Sequence, residues 1–369
     1  MKEGLDREAI ELIARNLRRA WADFDSAGFV RDASTRLSHL ELKQRVTHVI
    51  EALGKHLPDD FSDALDILLR AAQNWEDERR DGPLRGLAAW PVIDYVAAYG
   101  LEHVDESLEA LRKLTPLFSA EFAIRTFLEH DPHRTLERLR RWVSDPDENV
   151  RRLVSEGTRP RLPWGKRLTA FQQDPTPVIE LLEQLRDDAS ETVRRSVANN
   201  LNDIAKDHPE LIIKVMRAWL RAAPRSRRWV VERATRTLAR AGHDKVWSLL
   251  GVDRQANVRL TRLEVHPSRI SLGESILIRI RLRSRSQRPE RLVVDYAIFH
   301  VKADGSTRPK VFRLKKLTLG PGEAVQLEKR HAIKRITTRR YYSGRHTVDV
   351  RVNGMSLGKK GFELVMADS

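Results

Sequence analysis

The chain contains no cysteine among its 369 residues. Disulfides, thiolate metal sites, iron–sulfur clusters and cysteine nucleophiles are therefore excluded. It also lacks any apolar run long enough to suggest a membrane span. The opening stretch, MKEGLDREAIELIARNLRRAW, is amphipathic and mixed in charge. It has neither the apolar segment nor the small-residue cleavage site of a secretory signal, so the expected location is cytoplasmic, with no membrane partner. Aromatic residues make up only 6%. No glycine-rich phosphate loop, HExxH, GxSxG or calcium-loop pattern occurs.

What the chain does have is positive charge, unevenly spread. The net charge is +15, and residues 258–369 account for all of it, with 25 Lys and Arg against 10 Asp and Glu. Residues 1–110 carry 14 basic and 22 acidic side chains, while 111–257 carry 28 and 20. A polyanion is repelled by the first segment and attracted to the other two.

The hydrophobic pattern changes at the same place as the charge. Up to about residue 250, apolar residues recur at helix spacing, as in Ala9, Leu12, Ile13 and Leu17. From about 258 the period becomes two, as in Ile278-Arg279-Ile280-Arg281-Leu282-Arg283. Turn sequences such as SLGES, ADGST and VNGMS punctuate these short strands, which predicts an antiparallel immunoglobulin-like β-sandwich.

The helical part repeats itself. Asp145-Pro-Asp-Glu-Asn-Val-Arg-Arg-Leu-Val154 returns 43 residues later as Asp188-Ala-Ser-Glu-Thr-Val-Arg-Arg-Ser-Val197, with a weaker echo at Arg227-Arg228-Trp229-Val230. Asp131-Pro132, Asp174-Pro175 and His208-Pro209 keep the same phase. An aspartate N-cap followed by proline starts a helix. Paired helices at this period predict a HEAT-like α-helical solenoid over residues 1–255, followed by the basic β-sandwich over 256–369. The longer repeat carries its extra residues at 157–172, around Trp164 and Lys166.

Helical periodicity places Val150, Leu153, Val154 and Gly157 in the core and Arg152, Glu156 and Arg159 on the opposite side. In the next repeat Val193, Val197, Asn200 and Ile204 face the core. Arg195, Asn199 and Asn202 face outward, with Asp203 at the edge. Upstream, Ile124, Phe127 and Leu128 are core positions, and Glu121 with Arg125 forms an i,i+4 pair on the other side. The outcome is a row of carboxylates, Glu121, Glu156 and Asp203, interleaved with Arg125, Arg152, Arg159 and Arg195. Such rows are commonly solvated ion pairs. Yet acids on a surface suited to phosphate weaken its grip, and stabilising a developing cation would account for them. Trp164 either covers a hydrophobic seam or stacks on a base. Trp90, Trp142, Trp219 and Trp229 fall at core spacing. His130 and His133 flank the Asp131 cap and are not expected to bind metal.

The β-domain has basic segments at 279–291, 308–316 and 334–345. The last joins Arg339, Arg340 and Arg345 to Tyr341 and Tyr342. Such segments suit phosphate contact, or entry into a minor groove.

With its two Arg-Arg repeats, and with Glu121, Glu156, Trp164 and Asp203 in this order, the sequence resembles the AlkC/AlkD alkylpurine DNA glycosylases. A HEAT-like array with a C-terminal immunoglobulin-like domain resembles the AlkC branch. The resemblance implies excision of cationic bases such as 3-methyladenine and 3-methylcytosine from double-stranded DNA, by a monomer needing no metal or other cofactor. Family members act without flipping the base, unlike most base-modifying enzymes. It also implies an active site of Glu121, Glu156 and Asp203, with Trp164 beside the lesion, and nucleoid association when on DNA. As the glycosidic bond breaks, carboxylates would stabilise an oxocarbenium-like sugar, and either Asp203 or Glu156 would activate water. A different reading is a non-catalytic scaffold in which the HEAT-like array binds a protein and the β-domain binds nucleic acid or an anionic surface, and a third is an RNA-binding adaptor.

Overall fold

The computed structural model describes residues 2–76, 86–337 and 339–366. Thr338, within the last basic segment, lies outside them. Among the described residues sixteen α-helices precede eight strands, and the change from one to the other falls at Val258. No helix among them is long and apolar enough to cross a membrane.

Helix starts follow local chemistry. Asp6, Asp25, Asp60, Asp131 and Asp147 each turn a carboxylate onto a free amide of the first turn. Asp131 with Pro132 opens Pro132–Trp142 as the repeat register required, its carboxylate accepting from the Arg134 amide. At Asp174-Pro175 the helix begins one residue later, at Thr176.

The repeated Arg-Arg motif divides its two side chains between different tasks. Arg151 folds onto the carbonyls of Asp145 and Pro146 and reaches Asp188 of the next repeat at 2.6 and 3.0 Å. Arg194 makes the same turn onto the carbonyls of Asp188 and Ala189. One repeat back, Arg112 reaches Asp145 at 2.7 Å. Arg112 and Arg151 thus staple neighbouring repeats, while Arg194 closes on the carbonyls that precede its own helix. The helices Glu148–Gly157 and Glu191–Ile204 pack together, and Arg225–Ala234 packs on the latter.

Compactness divides the chain differently from composition. One unit is Met1–Asp207 with Pro224–Ala234, and the other is His208–Ala223 with Thr235–Ser369. The second unit holds two sheets. A three-stranded sheet has the order β1 (Val258–His266), β3 (Ser275–Ser284), β6 (Ala324–Ala332). A five-stranded sheet has the order β2 (Arg269–Ser271), β8 (Met355–Val365), β7 (Gly344–Val352), β4 (Glu290–Val301), β5 (Thr307–Leu319). All pairings are antiparallel except β2 with β8, which is parallel. Ile278, Ile280, Leu282, Val294, Tyr296, Val348 and Val350 are among the residues of the core.

Strand β4 is buried on both faces. Its non-core face carries Asp295, bound by Arg313 at 2.5 Å. Short helices of the same unit approach the sheet here. A side-chain carbon on Gly354 would lie 2.7 Å from the buried Trp247 ring, and Asn353 donates to the Asp253 carbonyl at 2.5 Å.

Candidate active site

The expected outward face of Glu148–Gly157 is not open to solvent. Glu156 is 6% exposed, Arg159 8% and Asp203 2%. They form one network. Arg159 donates to Glu156 Oε1 at 2.5 Å and, through Nε, to Asp203 Oδ2 at 2.8 Å. Ser196 donates to Glu156 Oε2 at 2.5 Å, and Lys206 donates to Asp203 Oδ1 at 2.7 Å. Asn202, read as outward, is also buried. Asn200 takes its core position and donates to the Ser155 carbonyl and the Thr158 hydroxyl.

Residues 158–168 supply Arg159, the cation shared by the two buried carboxylates. This segment follows the Glu148–Gly157 helix, and Arg125 pins it. Arg125 is 1% exposed and donates to the carbonyls of Gly157 and Arg159, each at 2.8 Å, and of Lys166 at 2.9 Å. Burial pulls the Arg125 guanidinium down to about 10. The expected Glu121–Arg125 pair and the placing of Arg125 on an exposed, DNA-facing side are therefore corrected. An inward guanidinium saturates loop carbonyls that would otherwise be buried without donors. Glu121 instead takes Arg152, whose guanidinium donates to Oε2 at 2.9 Å and to the Ser119 hydroxyl at 2.8 Å. Ser119 donates to the same Oε2 at 2.9 Å, and Oε1 has no hydrogen-bond partner among the described residues. Arg159, likewise read as lying on an open face, is buried between two carboxylates.

Trp164 stands at the tip of the segment, 57% exposed and with φ of 65°. A bulky residue in the left-handed region is strained, and such strain collects at functional sites. Its carbonyl accepts from Lys43, whose ammonium lies 5.7 Å from the Phe122 ring. Phe122 stacks on Trp90, with ring centroids 4.9 Å apart, and the Trp90 indole donates to Asp94 at 2.7 Å. Lys43 escapes sequence reasoning because it lies 121 residues from Trp164 and on no shared periodicity. Lys166 is exposed and near Glu129 at 3.5 Å, while Arg195 is exposed and pairs with Glu191 at 2.5 Å. Trp90, Trp142 and Trp219 are buried as expected. Trp229 is not core. It is 36% exposed with the Arg233 guanidinium over its ring.

In the β-domain the predicted residues gather on and beside the 334–345 segment. Arg339 lies over the Tyr341 ring and Arg340 over Tyr342, while Tyr341 rests edge-on against the buried His300. Arg345, in β7, is exposed and stands opposite Glu363. The other two basic segments overlap strands β3 and β5, the latter at a sheet edge.

Residues 117–238 match the family model described as DNA alkylation repair enzyme, and 259–366 match that of the uncharacterised protein YhaZ C-terminal Ig-like domain. The chain is 37% identical over 357 residues to the uncharacterized protein YhaZ of Bacillus subtilis (strain 168), with 96% of each covered. It is 40% identical to the Pseudomonas fluorescens alkylpurine DNA glycosylase AlkC solved bound to DNA containing an abasic site analog. That match covers 99% of both chains with a TM-score of 0.93. With this likeness running through helical array and Ig-like domain alike, the chain belongs to the AlkC branch of the DNA alkylation repair family.

Proposed function

We propose that this chain is a monofunctional glycosylase that hydrolyses the N-glycosidic bond of cationic alkylated bases in double-stranded DNA, 3-methyladenine and 3-methylcytosine among them, without flipping the base. The observation that carries this reading is the pair Glu156 and Asp203, bridged by Arg159 from the Arg125-pinned segment that presents Trp164, with Glu121 tied to the Glu156 helix by Arg152. An N-alkylated base is already cationic and leaves with the bonding electron pair as a neutral base. The sugar is left oxocarbenium-like, and carboxylates held in place by hydrogen bonds stabilise it without reorganising.

The three acids differ in their partners, and so in their roles. Both partners of Glu156, Arg159 and Ser196, are buried, so Glu156 acts as a fixed charge. Asp203 has one buried partner, Arg159, and one reaching solvent, Lys206, whose side chain is 39% exposed. A DNA phosphate can draw Lys206 away and leave Asp203 Oδ1 free to accept a proton from water. The water oxygen then bonds to C1′, the proton passes through Asp203 to solvent, and an abasic site remains. Glu121, with an unpartnered oxygen, faces the departing cation. Trp164 stacks at the lesion, while Arg152, Arg195, Lys166, Arg339, Arg340, Tyr341 and Arg345 serve the DNA backbone. Arg125 and Arg159 act inside the protein.

The test is release of 3-methyladenine from methylated duplex by Glu156→Gln and Asp203→Asn variants. Excision should fall by about 10²–10³-fold with DNA binding retained. Normal excision by both would overturn the reading. A parent chain that binds DNA and leaves no abasic sites would instead be a scaffold.

A further inference from the structure

The register of β1 on β3 sets Arg259 directly opposite Arg283 and Arg262 directly opposite Arg281. All four are exposed on the outer face of the three-stranded sheet, and β3 alternates buried Ile278, Ile280 and Leu282 with exposed Arg279, Arg281 and Arg283. Like charges directly across a ladder destabilise a sheet. The face has two carboxylates close by, and both are engaged: Glu264 with Arg262 at 2.6 Å, and Glu328 with Arg279 at 3.0 Å. Arg259, Arg281 and Arg283 have no ion-pair partner among the described residues. A bulge between Leu260 and Arg262 absorbs Thr261 and brings Arg262 opposite Arg281, extending the basic row.

We infer that Arg259, Arg281 and Arg283 form a track on this sheet face that binds the phosphates of one nucleic-acid strand. Alternate residues of a strand stand about 6.7 Å apart, comparable with successive phosphates along a backbone. A regular sheet holds the guanidinium groups at that spacing without ordering a loop. Planar guanidinium suits phosphate oxygens better than ammonium does, and this face bears arginine and no lysine on β1 and β3. Nothing here reads a base, so the track adds affinity without sequence preference. The inference rests on DNA as the partner proposed above, but its site is separate from the acidic cluster.

The experiment measures binding of undamaged duplex by fluorescence anisotropy between about 50 and 200 mM salt. Each phosphate contact adds roughly 0.9 to the slope of log affinity against log salt. Arg259→Gln, Arg281→Gln and Arg283→Gln combined should lower the slope by about 2 to 3, and Arg281→Gln alone by about 1. The melting temperature should hold or rise, because repulsion has been removed. A parent-like slope in both variants overturns the inference, as does loss of binding to anionic phosphatidylserine vesicles with DNA binding intact. A lower melting temperature for Arg281→Gln also overturns it, since the arginines would then be structural. Failure of the glycosylase reading looks different: the parent chain excises nothing while the slope still responds.

Discussion

The ammonium of Lys43 donates to the carbonyl of Trp164, tying the helix Leu42–His56 to the tip of the inserted segment. Lys43 thereby acts as a positioning residue for a strained, exposed indole. Lys43→Ala should lower single-turnover excision by about tenfold while leaving DNA affinity within about twofold, equivalent to a loss of roughly 1.4 kcal/mol of transition-state stabilisation. In a Trp164→Ala background the same change should cost nothing more. An additive loss would show that Lys43 acts by another route.

Trp164 itself should trade stability for activity. Glycine occupies the left-handed region without the steric cost that a side chain meets there. Trp164→Gly should therefore keep or raise stability, by up to about 1 kcal/mol, while excision falls. Calorimetry alongside an excision assay checks both, and a clear drop in melting temperature would mean that the indole covers core after all.

Arg159 sits between two buried carboxylates, and removing it leaves both without their shared cation. Arg159→Ala should destabilise the chain by about 3–5 kcal/mol. Glu156→Gln should cost much less, because the amide oxygen can still accept from Ser196 or Arg159. Urea unfolding of the two variants gives the comparison, and equal losses would rule out Arg159 as the keystone.

Asp94 supplies a pH dependence. Its Oδ1 is buried with no hydrogen-bond partner among the described residues. Burial pushes the carboxyl up to about 7, against the opposing pulls of the Trp90 indole and Lys43. A carboxyl that holds its proton more tightly when folded stabilises the fold below its ordinary value of 3.8, and that contribution is lost as pH rises through 7. The difference between the limits is roughly 4 kcal/mol. Asp94→Asn should melt like the parent at pH 4 and higher than the parent at pH 8. Identical melting curves at both pH values would remove Asp94 from the account.

Periodicity made the helical array, the repeat and the β-domain legible, because burial imposes a period of 3.6 on one and two on the other. It also located Glu156, Arg159 and Asp203 on neighbouring faces. It missed their burial, since that depends on residues 158–168 folding back, and the side chain that holds them, Arg125, looks from sequence like half of a surface ion pair. The Arg-Arg motif was visible as a repetition, but not that Arg151 staples one repeat to the next while Arg152 reaches back to Glu121 and Arg195 stays exposed. Such facts depend on which carbonyls lie within reach of a long side chain, and no local pattern encodes that.

The buried outer face of β4 has a consequence for the chain's modularity. Strands and charge change together at residue 258, which makes the last third look like a portable cassette. Yet Asn353 and Gly354 lean on Asp253 and Trp247, which precede that point. A graft, a duplication or a proteolytic cut at 258 would strip a buried sheet face, Asp295 included, of its cover. The inheritable module therefore begins upstream of the place where the composition turns.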